Sequence, residues 1–228
     1  MSRTVVVGVL RVGLAIAIGA SVMAQAQATA RSVGGTAALA NYLSYFTVDS
    51  SVLAVVVLLI GAASAISGRG AESRRFTLAR AAVVTYLVLI GVVYNLVLRG
   101  IPAQGETVGW SNEILHVVVP VALLLDWVLA PGRQRLEYHD VRVVLVVPIA
   151  WLVYTLIRGP LVLDPFVGTP YWYPYPFLDP VASTGGYGSV AAYVVALTAI
   201  VVAFGLGVIR ISRPGRHTAH LDPSDAPR

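Results

Sequence analysis

Six stretches of about 20 mostly apolar residues divide this chain, at roughly 5–26, 41–66, 78–98, 112–130, 142–157 and 189–209, and each is long enough to cross the hydrocarbon core of a bilayer as a helix. In lipid every backbone polar group must be satisfied within the segment, which leaves helix as the state of such runs. A membrane β-barrel would need alternating segments of about ten residues, and these runs are continuous. The sequence therefore predicts an all-α fold, a polytopic bundle of six transmembrane helices over residues 1–211. The tail 212–228, polar with Pro and Asp, is expected to be disordered. Composition agrees: 57% of the 228 residues are hydrophobic and 12% are charged, half the roughly 25% charge of a soluble domain. A soluble enzyme and a disordered chain are both excluded.

All 16 basic residues are arginine, and their placement reports topology. Arg69, Arg74, Arg75 and Arg80 cluster at the connection of runs two and three, and Arg133, Arg135 and Arg142 at that of four and five. Arg210, Arg213, Arg216 and Arg228 follow run six, and Arg3 precedes run one. The other three connections carry one each: Arg31, Arg99 and Arg158. The bias predicts a multi-pass protein of the cell membrane with both termini cytoplasmic. The net charge of +5 is thus assigned to loops at helix ends, and no nucleic-acid partner is expected. Arg3, the apolar stretch and Ala24-Gln25-Ala26-Gln27-Ala28 imitate a cleavable signal peptide. Arg11 interrupts that stretch, and residues from 5 on suffice to span, so a retained first helix is expected.

Polar side chains in hydrocarbon are costly and mark function by default. Run one holds Arg11; run two Ser44, Thr47, Asp49, Ser50 and Ser51; run three Asn95; run four Asn112, Glu113, His116 and Asp126. Counting from residue 41 at about 1.5 Å per residue, Thr47 lies about 9 Å inside the outer face, and His116, counted from residue 111, lies about 8 Å inside. Asn95 is near that level. Ser44, Thr47 and Ser51 are spaced as one helical stripe, Asn112, Glu113 and His116 are expected to share a face, and Pro120 should disturb the helix beside His116. Arg11 and Asp126, both toward the inner end, suggest a buried structural ion pair.

The chemistry this set permits is narrow. The chain has no cysteine and no lysine, which removes thiolate and Schiff-base sites. His116 is the one histidine inside the runs, since His139, His217 and His220 lie in connections or the tail. Paired-histidine haem and three-histidine zinc sites are therefore not expected, nor is the di-iron set that Glu113 and His116 would half-supply. No glycine-rich phosphate loop or nucleophile elbow occurs, so no cofactor and no metal are expected. A hydroxyl and an imidazole remain, the minimum for nucleophilic acyl transfer: a base must remove the threonine proton, and neutral histidine is the usual base. Glu113 or Asn112 could orient the ring, and Asn95 or an amide could serve the oxyanion. Against this stands a non-catalytic lipid or small-molecule transporter in which Asp49, Glu113 and His116 relay protons. A structural subunit of a membrane complex is the third possibility.

The run Asn112-Glu113-Ile114-Leu115-His116-Val117-Val118-Val119-Pro120 resembles the Asn-x-x-x-His-x-x-x-Pro stretch of the androgen-induced membrane proteins, integral-membrane threonine hydrolases of fatty acid esters of hydroxy fatty acids. Tyr171-Trp172-Tyr173-Pro174-Tyr175-Pro176-Phe177-Leu178-Asp179 is similar to their aromatic-Tyr-Pro-Phe-Leu block before the last span, and Tyr45-Phe46-Thr47 to the aromatic-Leu-Thr around their nucleophile. Arginine-only basic usage and short loops look like a bacterial branch. The resemblance implies Thr47 as nucleophile, His116 as general base and a fatty-acyl ester as substrate. An ungapped match of Asn41-Tyr42-Leu43-Ser44 would make Ser44 the nucleophile instead. Trp172 and Tyr173, in the proline-aromatic connection, are expected to line or cap the substrate pocket.

Overall fold

The computed structural model describes residues 2–68, 71–101 and 105–213. Arg69, Arg216, Arg228, His217 and His220, and the tail from residue 214 on, lie outside the described residues.

Among the described residues six helices are long and apolar enough to cross a membrane: α1 (Arg3–Arg31), α3 (Phe46–Ile66), α4 (Arg74–Leu98), α5 (Gly109–Leu129), α6 (Tyr138–Leu161) and α7 (Tyr187–Ser212). A short α2, Gly35–Tyr42, precedes α3. No strand occurs among the described residues. The architecture is that of an all-α, multi-pass membrane protein, and all six apolar runs are found as helices.

The second run departs from expectation, because it is not one helix from residue 41. The chain turns at Leu43–Tyr45, with the Ser44 amide donating to the Asn41 carbonyl and the Tyr45 amide to that of Tyr42. Tyr45 adopts extended backbone as the N-cap of α3. Tertiary contacts hold the break. The Trp151 indole N–H donates to the Ser44 carbonyl at 3.1 Å, and the Tyr45 ring lies edge-on to Trp172 at 5.5 Å and to Tyr175 at 5.6 Å. Ser44 therefore does not share a stripe with Thr47 and Ser51, and Thr47 is the second residue of α3. The depth match counted from residue 41 fails for the same reason.

Helix α4 is the axle of the bundle. Its residues Arg80 to Leu87 are all buried, and it packs on α3, α5, α7 and the first turn of α6, while α1 packs along α3. Lipid tails are as apolar as leucine, so helices associate here through close packing and polar contacts rather than through hydrophobic burial. Gly91 shows the close packing: a Cβ there would sit 2.7 Å from Pro120 Cγ, so only glycine lets α4 meet α5 at that level.

The basal end, where α1 begins and α7 finishes, carries the polar contacts. The expected pair exists, with Arg11 Nε 2.8 Å from Asp126 Oδ1 and Nη2 3.1 Å from Oδ2. It is half of a four-charge cluster. Arg80 Nη2 lies 2.7 Å from Asp126 Oδ2, Arg80 also pairs with Glu72, and Glu72 is 3.8 Å from Arg11. None of the four side chains is more than 15% exposed. Two positive and two negative charges balance, as burial in hydrocarbon requires. Around them the basal loops are tied by Arg74 to Asp140 at 2.7 Å and by Arg213 to Glu137 at 2.8 Å. The Arg213 hydrogen bond holds the Glu137 carboxyl below its ordinary range.

Candidate active site

At the opposite end, a cavity of about 860 Å³ opens between α3, α4, α5, α6, α7 and the 162–186 connection. Thr47, His116, Asn112, Trp172 and Tyr173 all line it. Glu113, Asn95 and Ser44 are not among its lining residues.

His116 is built from the sequence outward. Pro120 has no amide hydrogen, so the carbonyl four residues earlier, that of His116, loses its helical partner. The helix widens into a π-turn over Ile114–Val118, a feature frequent at functional sites. Asn95, just inside a second π-turn over Tyr94–Leu98 on α4, donates from Nδ2 to the orphaned His116 carbonyl at 2.9 Å and to the Gly91 carbonyl at 2.7 Å. The imidazole is fixed twice. Its Nδ1 lies 2.9 Å from the Asn112 carbonyl, which can only accept, so the proton is on Nδ1 and Nε2 is left as the basic nitrogen. The ring stacks on Tyr94 at a centroid distance of 3.9 Å and 27°. Tyr94 is held in turn by Asn112 Nδ2, 2.6 Å from its hydroxyl. Asn112 thus orients the ring through its carbonyl and its amide together.

Glu113 does not take that role. Adjacent helix positions are about 100° apart, and Glu113 turns outward to Arg99, which donates to both carboxylate oxygens at 2.8 and 2.9 Å. The Arg99 Nε also donates to Asn95 Oδ1 at 2.9 Å. Asn95 is therefore committed to joining α4 and α5 and does not face the cavity.

Thr47 stands in the first turn of α3, where the leading amides of a helix have no carbonyl partner. Its hydroxyl lies 3.5 Å from that of Tyr175, and the phenol oxygen also faces the amides of Phe46 and Thr47. Burial pushes the Tyr175 phenol up, and the Thr47 hydroxyl and the two amides pull it part of the way back. The phenol keeps its proton near neutral pH and can donate. Thr47 and His116 face one cavity without a hydrogen bond joining them. Ser44, in contrast, is 5% exposed, donates to the Ala40 carbonyl at 2.8 Å and contacts the Tyr154 hydroxyl at 2.9 Å.

The connection forms the roof. Trp172 is buried under the Arg158 guanidinium, 5.4 Å from the ring centroid, and Tyr173 packs its ring against bare Gly159. Sequence reasoning missed Tyr94, Arg99 and Tyr175. Arg99 counts in the sequence as a topology charge, and nothing in the spacing of Tyr94 predicts a stack on His116. Tyr175 lay inside an aromatic block in which no single ring could be preferred.

No protein-family model, no curated protein and no solved structure matches this chain.

Proposed function

We propose that the protein is an intramembrane hydrolase of fatty-acyl esters, with Thr47 as nucleophile and His116 as general base. The observation that carries this reading is that Thr47 and His116 line one cavity of about 860 Å³, with the ring's Nδ1 fixed so that Nε2 is the base. Positioned general bases contribute roughly 10²–10⁴ in rate. In the first half-reaction Thr47 Oγ1 attacks the ester carbonyl while Nε2 takes its proton. The tetrahedral oxyanion collapses, the carbon–oxygen bond to the alcohol breaks, and the imidazolium protonates the departing oxygen. Water, deprotonated by Nε2, then cleaves the acyl-threonine and returns the fatty acid and the free hydroxyl. The amides of Phe46 and Thr47 and the Tyr175 phenol are the donors nearest the nucleophile and suit the oxyanion.

Ser44 is the weaker nucleophile candidate, because its hydroxyl already has two partners and lies off the cavity. The proton-relay transporter finds less support, since Glu113 is turned away and neutralised by Arg99. With the arginine bias, the site end faces outward and both termini face the cytoplasm, so the substrate comes from the outer leaflet of the cell membrane. Resemblance to the androgen-induced hydrolases makes an ester of a hydroxy fatty acid the first substrate to try. Purified protein in detergent or nanodiscs should hydrolyse such an ester. Thr47→Ala and His116→Ala should each lose at least 100-fold in kcat while keeping the elution profile of the wild type, and retained turnover in either variant discards the assignment.

A further inference from the structure

Helices α6 and α7 meet only at their basal ends. The first turn of α6 packs on α7, where a Cβ at Gly205 would lie 3.2 Å from Val141 Cγ2 and 3.6 Å from Val144 Cγ1. From Val146 onward the two helices no longer pack closely along one another. At the site end a chain of aromatic rings bridges the gap. Trp151 on α6 lies 5.9 Å from Tyr175, Tyr175 stacks on Phe177 at 5.1 Å and 5°, and Phe177 meets Tyr193 on α7 at 6.0 Å. These are favourable ring separations, so the connection is wedged between the helices and holds their ends apart.

From the Gly205 contact up to the level of this lintel, the wedge is walled by Pro148, Ile149 and Leu152 of α6 and by Val194, Leu197 and Thr198 of α7, and every one of these residues lines the cavity that holds Thr47 and His116. Thr198 is the one polar wall. Both walls belong to membrane-spanning helices, so the surroundings at this level are hydrocarbon tails. The cavity behind is near the upper end of the 300–1,000 Å³ typical of ligand pockets.

We infer that the α6–α7 wedge is a lateral port that admits one acyl chain of a membrane lipid from the bilayer into the cavity. The inference rests on the hydrolase reading for what happens at the chain's ester, but not for the port itself. An acyl chain fits because it has no hydrogen-bonding group to leave unsatisfied between apolar walls, and because it can slide in without crossing the lintel. Leu152 and Leu197 line the cavity from the two walls, and each lies eight residues from the Val144–Gly205 contact, so they stand at a similar level along the route.

The test uses the full chain in nanodiscs doped with a phospholipid carrying a diazirine in its acyl chain. The Thr47→Ala protein is included, so that labelling is read without turnover. Light should place the label on α6 and α7 residues of the wedge, several-fold above Val195, which is 70% exposed on the outer face of α7. Leu197→Trp should lower wedge labelling at least five-fold, and Val195→Trp should leave it unchanged. Label spread evenly over outward faces, or undiminished in a Leu197→Trp protein that elutes as wild type, overturns the port. Turnover separates the two proposals. If Leu197→Trp lowers turnover of a long-chain ester at least ten-fold more than that of a short soluble acetyl ester, port and hydrolase both stand. Wedge labelling without any ester turnover in the wild type retains the port and removes the hydrolase. Turnover on long chains that Leu197→Trp does not change removes the port and retains the hydrolase.

Discussion

His116 takes its basic nitrogen from a carbonyl four residues back and its plane from a tyrosine on the neighbouring helix. The histidine and the threonine were visible in the sequence because polar groups are rare in apolar runs. Their partners were not, because stacking and loop contacts leave no spacing signature. Tyr175 is the plainest case, and it carries a prediction of its own. Its phenol sits against the Thr47 hydroxyl and the first amides of α3, so Tyr175→Phe should lower kcat by about 10²-fold, the scale of one oxyanion donor, with KM little changed. Burial raises the phenol's proton affinity, so its donor form persists to higher pH than in a free tyrosine. Activity in the wild type should fall on the alkaline side only above about pH 10, the ordinary tyrosine value, and Tyr175→Phe should lose that limb. An alkaline limb unchanged in Tyr175→Phe would remove the phenol from the chemistry.

At the scale of elements, the existence of every long helix was legible from length and hydropathy, and the boundary that matters most was not. Leu43-Ser44-Tyr45 contains no Pro or Gly, so nothing local predicts a break. The break comes from Trp151 and the aromatic roof, distant in sequence, and it moves Ser44 off the helix that carries Thr47. Pro120 was legible as a disturbance, but not the asparagine that answers it. If Asn95 satisfies the carbonyl that Pro120 orphans, the two residues are coupled. Asn95→Ala should destabilise the protein by about 0.5–1.5 kcal/mol, the net worth of one hydrogen bond to a carbonyl that is not fully buried. In a Pro120→Ala background, where residue 120 regains an amide, the same change should cost less than half as much. Thermal unfolding of the four proteins in detergent measures the coupling, and equal costs in both backgrounds would show that Asn95 acts elsewhere.

For the whole molecule, the basal charge cluster and the site cavity occupy opposite ends of one axle, α4. The pair Arg11 with Asp126 is legible in the sequence, but Arg80 counts there as a topology charge and Glu72 carries no signal, since hydropathy counting cannot see that the start of α4 is enclosed. The fourfold arrangement changes what a charge swap should do. Asp126→Asn leaves two buried arginines on one carboxylate and should cost about 3–5 kcal/mol. Exchanging Arg11 and Asp126 by the double change Arg11→Asp with Asp126→Arg sets residue 126 against Arg80, so folded yield should stay low. Recovery of wild-type yield by the exchange would mean that the pair acts alone.

The central claim, an acyl-transfer nucleophile in the first turn of α3 served by the one imidazole of the cavity, is met most directly by mapping an alkyl fluorophosphonate after it reacts with the intact protein. The account predicts one modified peptide with the adduct on Thr47, and no adduct in His116→Ala. An adduct on Ser44, or one on Thr47 that forms as fast without the imidazole, would contradict it.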